Sequence, residues 1–309
     1  MPPLIAIGEC MLELVRDGER WRLGHAGDTF NTALYLCRLG VPVAYLTALG
    51  ADPFSQEMRA TWVREGMDVS LVLTDPARLP GLYAIRTDAE GEREFYYWRE
   101  RSAARALFTL PGIDEALDQA SHAGELYLSG ITLSLFGHAE RRRLSGIAEA
   151  VRGRGGRVIF DPNYRPAGWV DAAAARTAIE ALAPYVSIAL PTFTDEAVLF
   201  GDAAPEQSVL RWRAWGAEEV IVKLGARGCL VGAGDGRELV SISAPVNVVD
   251  TTGAGDAFNA AYLATRLGGR APARAARAAH RLAAEVIQCP GAILPAARLS
   301  AIRAVLDSD

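Results

Sequence analysis

Lysine is almost missing from this sequence. Its 309 residues include 32 lysines and arginines together, and Lys223 is the sole lysine among them. Codon bias toward arginine accounts for the skew as a whole. The consequence is chemical, because any function that needs a lysine has one candidate. A phosphate loop of the Gly-Lys-Ser/Thr type is excluded, since Leu224 follows Lys223. A protein kinase is excluded as well, because the chain holds neither an HRD nor a DFG triplet.

Cysteine and histidine are scarce, with four of each. Cys10, Cys37, Cys229 and Cys289 lie far apart and form no CxxC pair. That spacing argues against a zinc ribbon or a disulfide scaffold and predicts a reducing, cytoplasmic setting. No HExxH pattern occurs. No charged-then-apolar leader opens the chain, and no apolar run reaches roughly 18 residues. The expectation is a protein without signal peptide or membrane span. Acidic residues (37) outnumber basic ones (32), for a net charge of −5. The arginines are scattered, so no nucleic-acid surface is expected.

What is present is core material: half of the residues are hydrophobic and 22% are charged. Residues 4–8 form a short apolar run ending in glycine, which predicts a buried strand. Residues 29–39 carry apolar side chains at helical spacing and stop at Gly40. Strands are further predicted at 43–49, 157–161, 186–190 and 219–223, and helices at 53–65, 172–182 and 206–215. Such alternation predicts an α/β fold with a mostly parallel sheet covered on both faces. Residues 81–87 and 92–99 read as a β-hairpin closed by Asp88, Ala89, Glu90 and Gly91. Strand alternation puts Phe95, Tyr97 and Arg99 on one face of it.

Residues 246–263, VNVVDTTGAGDAFNAAYL, carry the chemistry. They predict a strand ending at Asp250, a glycine turn, and then a helix. Unpaired amides at a helix N-terminus make an anion site, and Gly253 and Gly255 let a ligand approach the backbone. Asp256 sits beside that site. By itself it could be a plain helix-start acid, or a base placed next to a phosphate cradle.

DTTGAGDAF resembles the C-terminal signature of the ribokinase-like (PfkB) carbohydrate kinases. Ala26-Gly27-Asp28-Thr29-Phe30-Asn31 resembles that family's sugar-binding GGxxxNxA segment, with Ala26 in place of the first glycine. The resemblance spans essentially the whole chain. It implies a three-layer ribokinase-like fold, with residues 1–309 as one kinase domain and a small β lid built from about 9–25 and 80–101. It implies Asp256 as catalytic base, with Gly253, Ala254 and Gly255 forming the anion hole. ATP and Mg²⁺ are the implied cofactors.

Within the family, several stretches are similar to 2-keto-3-deoxygluconate kinases: DTFNTA, GLYAIRTD, FYYWRERSAAR, LYLSGITL and FDPNYRP. That likeness implies substrate contacts from Gly27, Asp28, Asn31, Tyr83, Tyr97, Arg99 and Arg165. It implies nucleotide contacts from Asn163, Arg165, Lys223, Gly225, Arg227 and Gly228, together with Gly253 and Gly255. A sugar acid also gives arginine a physical purpose, because the planar guanidinium pairs with a carboxylate through two hydrogen bonds. For Lys223, a nucleotide role competes with a strand-end lysine whose head lies in solvent.

Residues 250–252 and the Gly291-Ala292 neighbourhood match segments that often hold a monovalent cation in the family. Many members carry NxxE on a strand-end loop linked to Mg²⁺; here Glu196 fits but Phe193 stands at the asparagine position, leaving the metal ligands unassigned. The exposed lid hairpin predicts pairing with a second chain as a homo-oligomer. A fructokinase is the alternative within the family, and a non-catalytic sugar or nucleotide sensor the alternative outside it.

Overall fold

The structure, a computed structural model, describes residues 3–87, 93–242, 246–295 and Arg298. In chain order its strands are β1 (Leu4–Ile7), β2 (Met11–Asp17), β3 (Arg20–Ala26), β4 (Val43–Gly50), β5 (Val72–Asp75), β6 (Leu82–Thr87) and β7 (Arg93–Trp98). They continue with β8 (Glu125–Ser129), β9 (Arg157–Asp161), β10 (Ile188–Ala189), β11 (Glu219–Lys223), β12 (Cys229–Ala233) and β13 (Gly236–Val240). A large sheet runs β13-β12-β11-β10-β9-β8-β1-β4-β5. Every neighbouring pair from β11 to β5 is parallel, and β12 and β13 add an antiparallel edge.

Strand alternation sorts the core into two layers. Leu4, Ala6, Tyr45, Tyr127, Ile159 and Ile221 pack on one face, against the helices Asp28–Arg38, Ala254–Leu267 and Pro272–Val286. Ile5, Ile7, Leu46, Leu128, Phe160 and Val222 pack on the other, against Ile113–Ser121, His138–Gly153, Ala172–Leu182 and Pro205–Ala214. The result is the three-layer α/β architecture expected from the sequence. Among the described residues, no helix is long and apolar enough to cross a membrane.

A second sheet, β3-β2-β6-β7, stands apart. β6 and β7 pair antiparallel with Tyr83 opposite Tyr97, and β2 joins β6 in parallel with Glu13 opposite Tyr83. The predicted turn of this hairpin, Asp88 to Gly91, lies outside the described residues.

Two sequence expectations need correction. Residues 186–190 hold only the two-residue strand β10, although the Ser187 and Leu190 amides still donate to the Val158 and Phe160 carbonyls of β9 at 2.8 and 2.9 Å. Residues 246–250 are not a strand. Val248 and Val249 are 57% and 51% exposed, and the segment instead docks its Val249 and Asp250 amides on the Ile287 carbonyl at 2.8 and 3.1 Å. Its alternating valines have strand propensity but no partner strand.

Candidate active site

A cleft of about 1200 Å³ separates the small sheet from the C-terminal ends of β9 and β11. The ends of parallel strands are where α/β folds gather loops and helix starts, and hence ligands. Two helix N-termini converge here, Asp28–Arg38 and Ala254–Leu267.

Gly253 precedes the second helix in the left-handed region, at φ +74°. A Cβ there would lie 2.7 Å from the Ala292 carbonyl oxygen, so conformation and space both demand glycine. The first turn takes no side-chain cap; the Ala254 amide donates to the Thr251 carbonyl at 3.2 Å, and among the described residues the Gly253 and Gly255 amides are the ones open to an anion. Asp250 braces the turn from behind, accepting from the Thr252 amide at 2.8 Å and from the Gly291 amide.

Asp256 follows on the first turn. Its Oδ2 accepts from Asn31 Nδ2 at 2.8 Å. Burial pushes this carboxyl up to about 8, helped by the charges of Asp28 and Asp161; the Asn31 hydrogen bond and the Lys223 ammonium pull the other way. A carboxylate poised near neutrality in a cleft, beside the amides of a glycine turn, can take a proton from a hydroxyl while such amides hold developing phosphoryl charge.

Gly27 enters the first helix in extended conformation, and its Cβ would meet the Glu9 carbonyl oxygen at 2.2 Å. The Ala26 methyl, the departure from the family's double glycine, is absorbed into an apolar cluster with Met11, Tyr83, Ile85 and Ala292. Asp28 accepts from Asn163 Nδ2 at 3.0 Å. Asn163 has a positive φ of 33°, and its amide donates to Asp161 Oδ1 at 3.1 Å.

The opposite wall is aromatic and cationic. Tyr83, Phe95 and Tyr97 line the cleft with ring centroids 5.9 to 6.3 Å apart. The Tyr83 hydroxyl is committed to Glu13, so this residue presents its ring. Arg99 pairs with the buried Glu9, which also accepts from Ser102. Arg165 donates to the Tyr164 carbonyl at 2.8 Å and lies 3.2 Å from Asp195, and its side chain is 57% exposed. Arg105 also lines the cleft, anchored on the Leu135 carbonyl at 3.2 Å. The Nε atoms of Arg99 and Arg105 are buried and have no partner among the described residues.

Thus Gly27, Asp28, Asn31, Tyr83, Tyr97, Arg99, Asn163, Arg165, Lys223, Gly253, Gly255 and Asp256 all reach one cleft. Gly225, Arg227 and Gly228 do not line it; they form a 3₁₀ turn and its exit between β11 and β12. Lys223 has its head neither in solvent nor free in the cleft: the residue is 8% exposed and its Nζ lies 2.8 Å from Asp161. Glu196 is buried and turned away, bound to Arg211 and, at 3.0 Å, to the Trp212 indole N–H. Burial pushes its carboxyl up to about 7. Among the described residues, no three acidic, histidine or cysteine side chains gather to hold a metal. A Mg²⁺ carried by nucleotide phosphates, with water completing its shell, needs few protein ligands.

Asp161, Arg105 and Asn259 belong to the site without being singled out by the sequence motifs. Asp161 carried a signal, as an acid at the C-terminal end of a parallel strand. Asn259 carried another, lying three residues beyond Asp256 on the same side of its helix. Arg105 carried only its place at the end of FYYWRERSAAR.

An α/β sheet whose strand ends present a glycine turn, an uncapped helix and a poised carboxylate defines a class, the phosphoryl-transfer enzymes that bind phosphate through backbone amides. The family model described as pfkB family carbohydrate kinase matches residues 1–298, and the chain belongs to that family. It is 43% identical over 297 residues to the 2-dehydro-3-deoxygluconokinase of Dickeya dadantii (strain 3937), covering 94% of this chain and 96% of that protein. It is 30% identical over 270 residues to a fructokinase of Salmonella typhimurium, covering 84% of this chain and 82% of that one. Among solved structures, a PfkB protein from Polaromonas sp. JS666 superposes with a TM-score of 0.83 at 28% identity, covering 97% and 99% of the two chains.

Proposed function

We propose that this protein is an ATP-dependent 2-dehydro-3-deoxygluconokinase, phosphorylating the terminal hydroxyl of 2-keto-3-deoxygluconate (the same compound as 2-dehydro-3-deoxygluconate) to the 6-phosphate. The observation that carries the reading is Asp256, fixed by Asn31 at 2.8 Å beside the uncapped helix start and facing a wall of arginines. The relatives of that name favour this substrate over fructose, since the fructokinase shares less of the sequence. Chemistry agrees: fructose is neutral, whereas a sugar acid gives Arg99 and Arg165 a carboxylate to bind.

Asp256 accepts the proton of the sugar hydroxyl as its oxygen bonds to the γ-phosphorus. The bond from that phosphorus to the ADP oxygen breaks. Amides of Gly253, Ala254 and Gly255 hold the charge on the transferring group. Magnesium-bound ATP supplies that group when present. Asn163 and Arg165 stand where both substrates meet, and Gly225, Arg227 and Gly228 flank the nucleotide end. Tyr83 and Tyr97 give the sugar a stacking platform. The small sheet acts as a lid that excludes water, the competing acceptor. Its outer surface leaves Trp21, Leu23, Tyr96 and Trp98 between 42% and 58% exposed, which supports pairing of two copies through their lids. The reading places the enzyme in the cytoplasm, with ATP. The Asp250–Gly291 neighbourhood is the place for a monovalent cation if activity requires one.

The test is Asp256→Asn. It should keep nucleotide binding, measured by calorimetry, while kcat falls by about 10²–10⁴-fold, the usual worth of a general base. Unchanged kcat would refute the mechanism.

A further inference from the structure

Lys223 sits behind the anion turn, among carboxylates. A Cβ on Gly255 would lie 3.8 Å from its Nζ. The ammonium donates to Asp161 Oδ2 at 2.8 Å and to Asn259 Oδ1 at 3.2 Å. The Asn259 amide donates to the same Asp161 oxygen at 2.6 Å and reaches the Tyr127 hydroxyl at 3.2 Å. Tyr127 meets Thr32 at 3.2 Å, and Thr32 donates to the Asp256 carbonyl at 3.3 Å. The network therefore closes around the residue proposed as the base.

Its charge balance is lopsided. Asp28 from the first helix, Asp161 from β9 and Lys223 from β11 all act on the Asp256 carboxyl, and Tyr127 from β8 lies within electrostatic reach. Lys223 is the cation in that set; Arg99 and Arg165 stand on the facing wall. Asp161 is 3% exposed and has both oxygens engaged, one by the Asn163 amide and the other by Lys223 and Asn259. A buried charge paired this closely is costly to leave alone, and Lys223 gives two of its three ammonium hydrogens to Asp161 and Asn259, so drawing the ammonium toward a phosphate would loosen Asp161.

We propose that Lys223 is a positioning residue, a buried counter-ion that holds Asp161 and Asn259 in place and offsets the carboxylates around Asp256, and that it is not a ligand of the nucleotide phosphates. The proposal rests on Asp256 acting as base. It explains why a chain that uses arginine everywhere else keeps a lysine here: a compact ammonium fits between the Asp161 and Asn259 oxygens and a helix start, where a planar guanidinium is larger and differently shaped. Removing the cation raises the Asp256 carboxyl further, so the acid side of the rate profile moves to higher pH. Removing the Asp161 charge moves it the other way.

The experiment measures kcat/KM against pH, and KM for ATP, in the full-length enzyme and in Lys223→Met, Lys223→Arg, Asp161→Asn and Asp256→Asn. Lys223→Met should shift the acid limb upward by about one pH unit or more, a tenfold loss at neutral pH, with KM for ATP changed less than about threefold. Lys223→Arg should keep the cation and so most of the limb position, with a lower kcat/KM across the whole pH range because the guanidinium does not suit the pocket, and Asp161→Asn should shift the limb downward. Opposite shifts cannot come from general disruption, which lowers activity in both variants. If Lys223→Met does not fold, the downward shift in Asp161→Asn and the limb of Lys223→Arg decide. A tenfold or greater rise in KM for ATP with an unmoved limb, or shifts of the same sign in the Met and Asn variants, would overturn the proposal. Those results together with an inactive Asp256→Asn reject the Lys223 role alone; an active Asp256→Asn rejects the base and this proposal with it.

Discussion

Asn31 Nδ2 donates to Asp256 Oδ2 across 2.8 Å, tying together the first turns of two helices whose contact residues lie 225 positions apart. The bond orients the carboxylate and favours its ionised form. Asn31→Leu should therefore push the carboxyl higher and lower kcat/KM at pH 7 by about tenfold to a hundredfold, the worth of a hydrogen bond to a charged group. Asn31→Asp should be worse, since it adds a like charge. Rates near those of the natural enzyme in either variant would remove Asn31 from the mechanism.

The pH profile tests the electrostatics directly. A base raised to about 8 is largely protonated at pH 6 and ionised at pH 9. The sign follows: kcat/KM should climb about tenfold per pH unit below about 8 and level off above it. A profile already flat between pH 5 and 8 would place the Asp256 carboxyl in the ordinary carboxylate range.

Gly253 carries two demands in one residue, a φ of +74° and contact with Ala292. Gly253→Ala adds a methyl 2.7 Å from the Ala292 carbonyl oxygen. It should lower stability by about 1–3 kcal/mol and cut kcat more than it raises the sugar KM, because the turn holds the transferring group. A melting temperature and kcat both within error of the parent would refute the close packing described here.

Arg165 is the most exposed of the arginines lining the cleft, and so the one most open to a substrate carboxylate. Arg165→Leu should raise KM for an acidic sugar by about tenfold or more relative to the change for fructose, from loss of a charge-assisted hydrogen bond. Equal changes for both sugars would show that the residue does not read the acid.

Much of the layered architecture was legible because periodicity reports which faces are buried. Strands 157–161 and 219–223 and the helix 172–182 fall where their patterns place them. So does the shared face of Phe95, Tyr97 and Arg99, which follows from strand alternation alone. The parallel pairing of β2 with β6 was not legible, since nothing local in either segment names a partner so far along the chain. Residues 246–250 misled for the reverse reason: their valines pattern as a strand, but no edge is there to receive them. At the site, glycine-turn chemistry marked Gly253 to Asp256, because few other functions need that pattern. Side-chain pairing was hidden. Glu9 claims Arg99, Arg211 claims Glu196, and Asp161 claims Lys223, and each pair joins elements that only the fold brings together.

The central claim is that this kinase acts on a sugar acid. The measurement is ADP release by the purified protein with Mg²⁺ and ATP, offered 2-keto-3-deoxygluconate, 2-keto-3-deoxygalactonate, fructose, ribose and adenosine at equal concentrations. The account predicts a kcat/KM for 2-keto-3-deoxygluconate at least about tenfold above that for fructose, as expected when a site built to pair a charged group meets a substrate lacking it. A clear preference for fructose would contradict it.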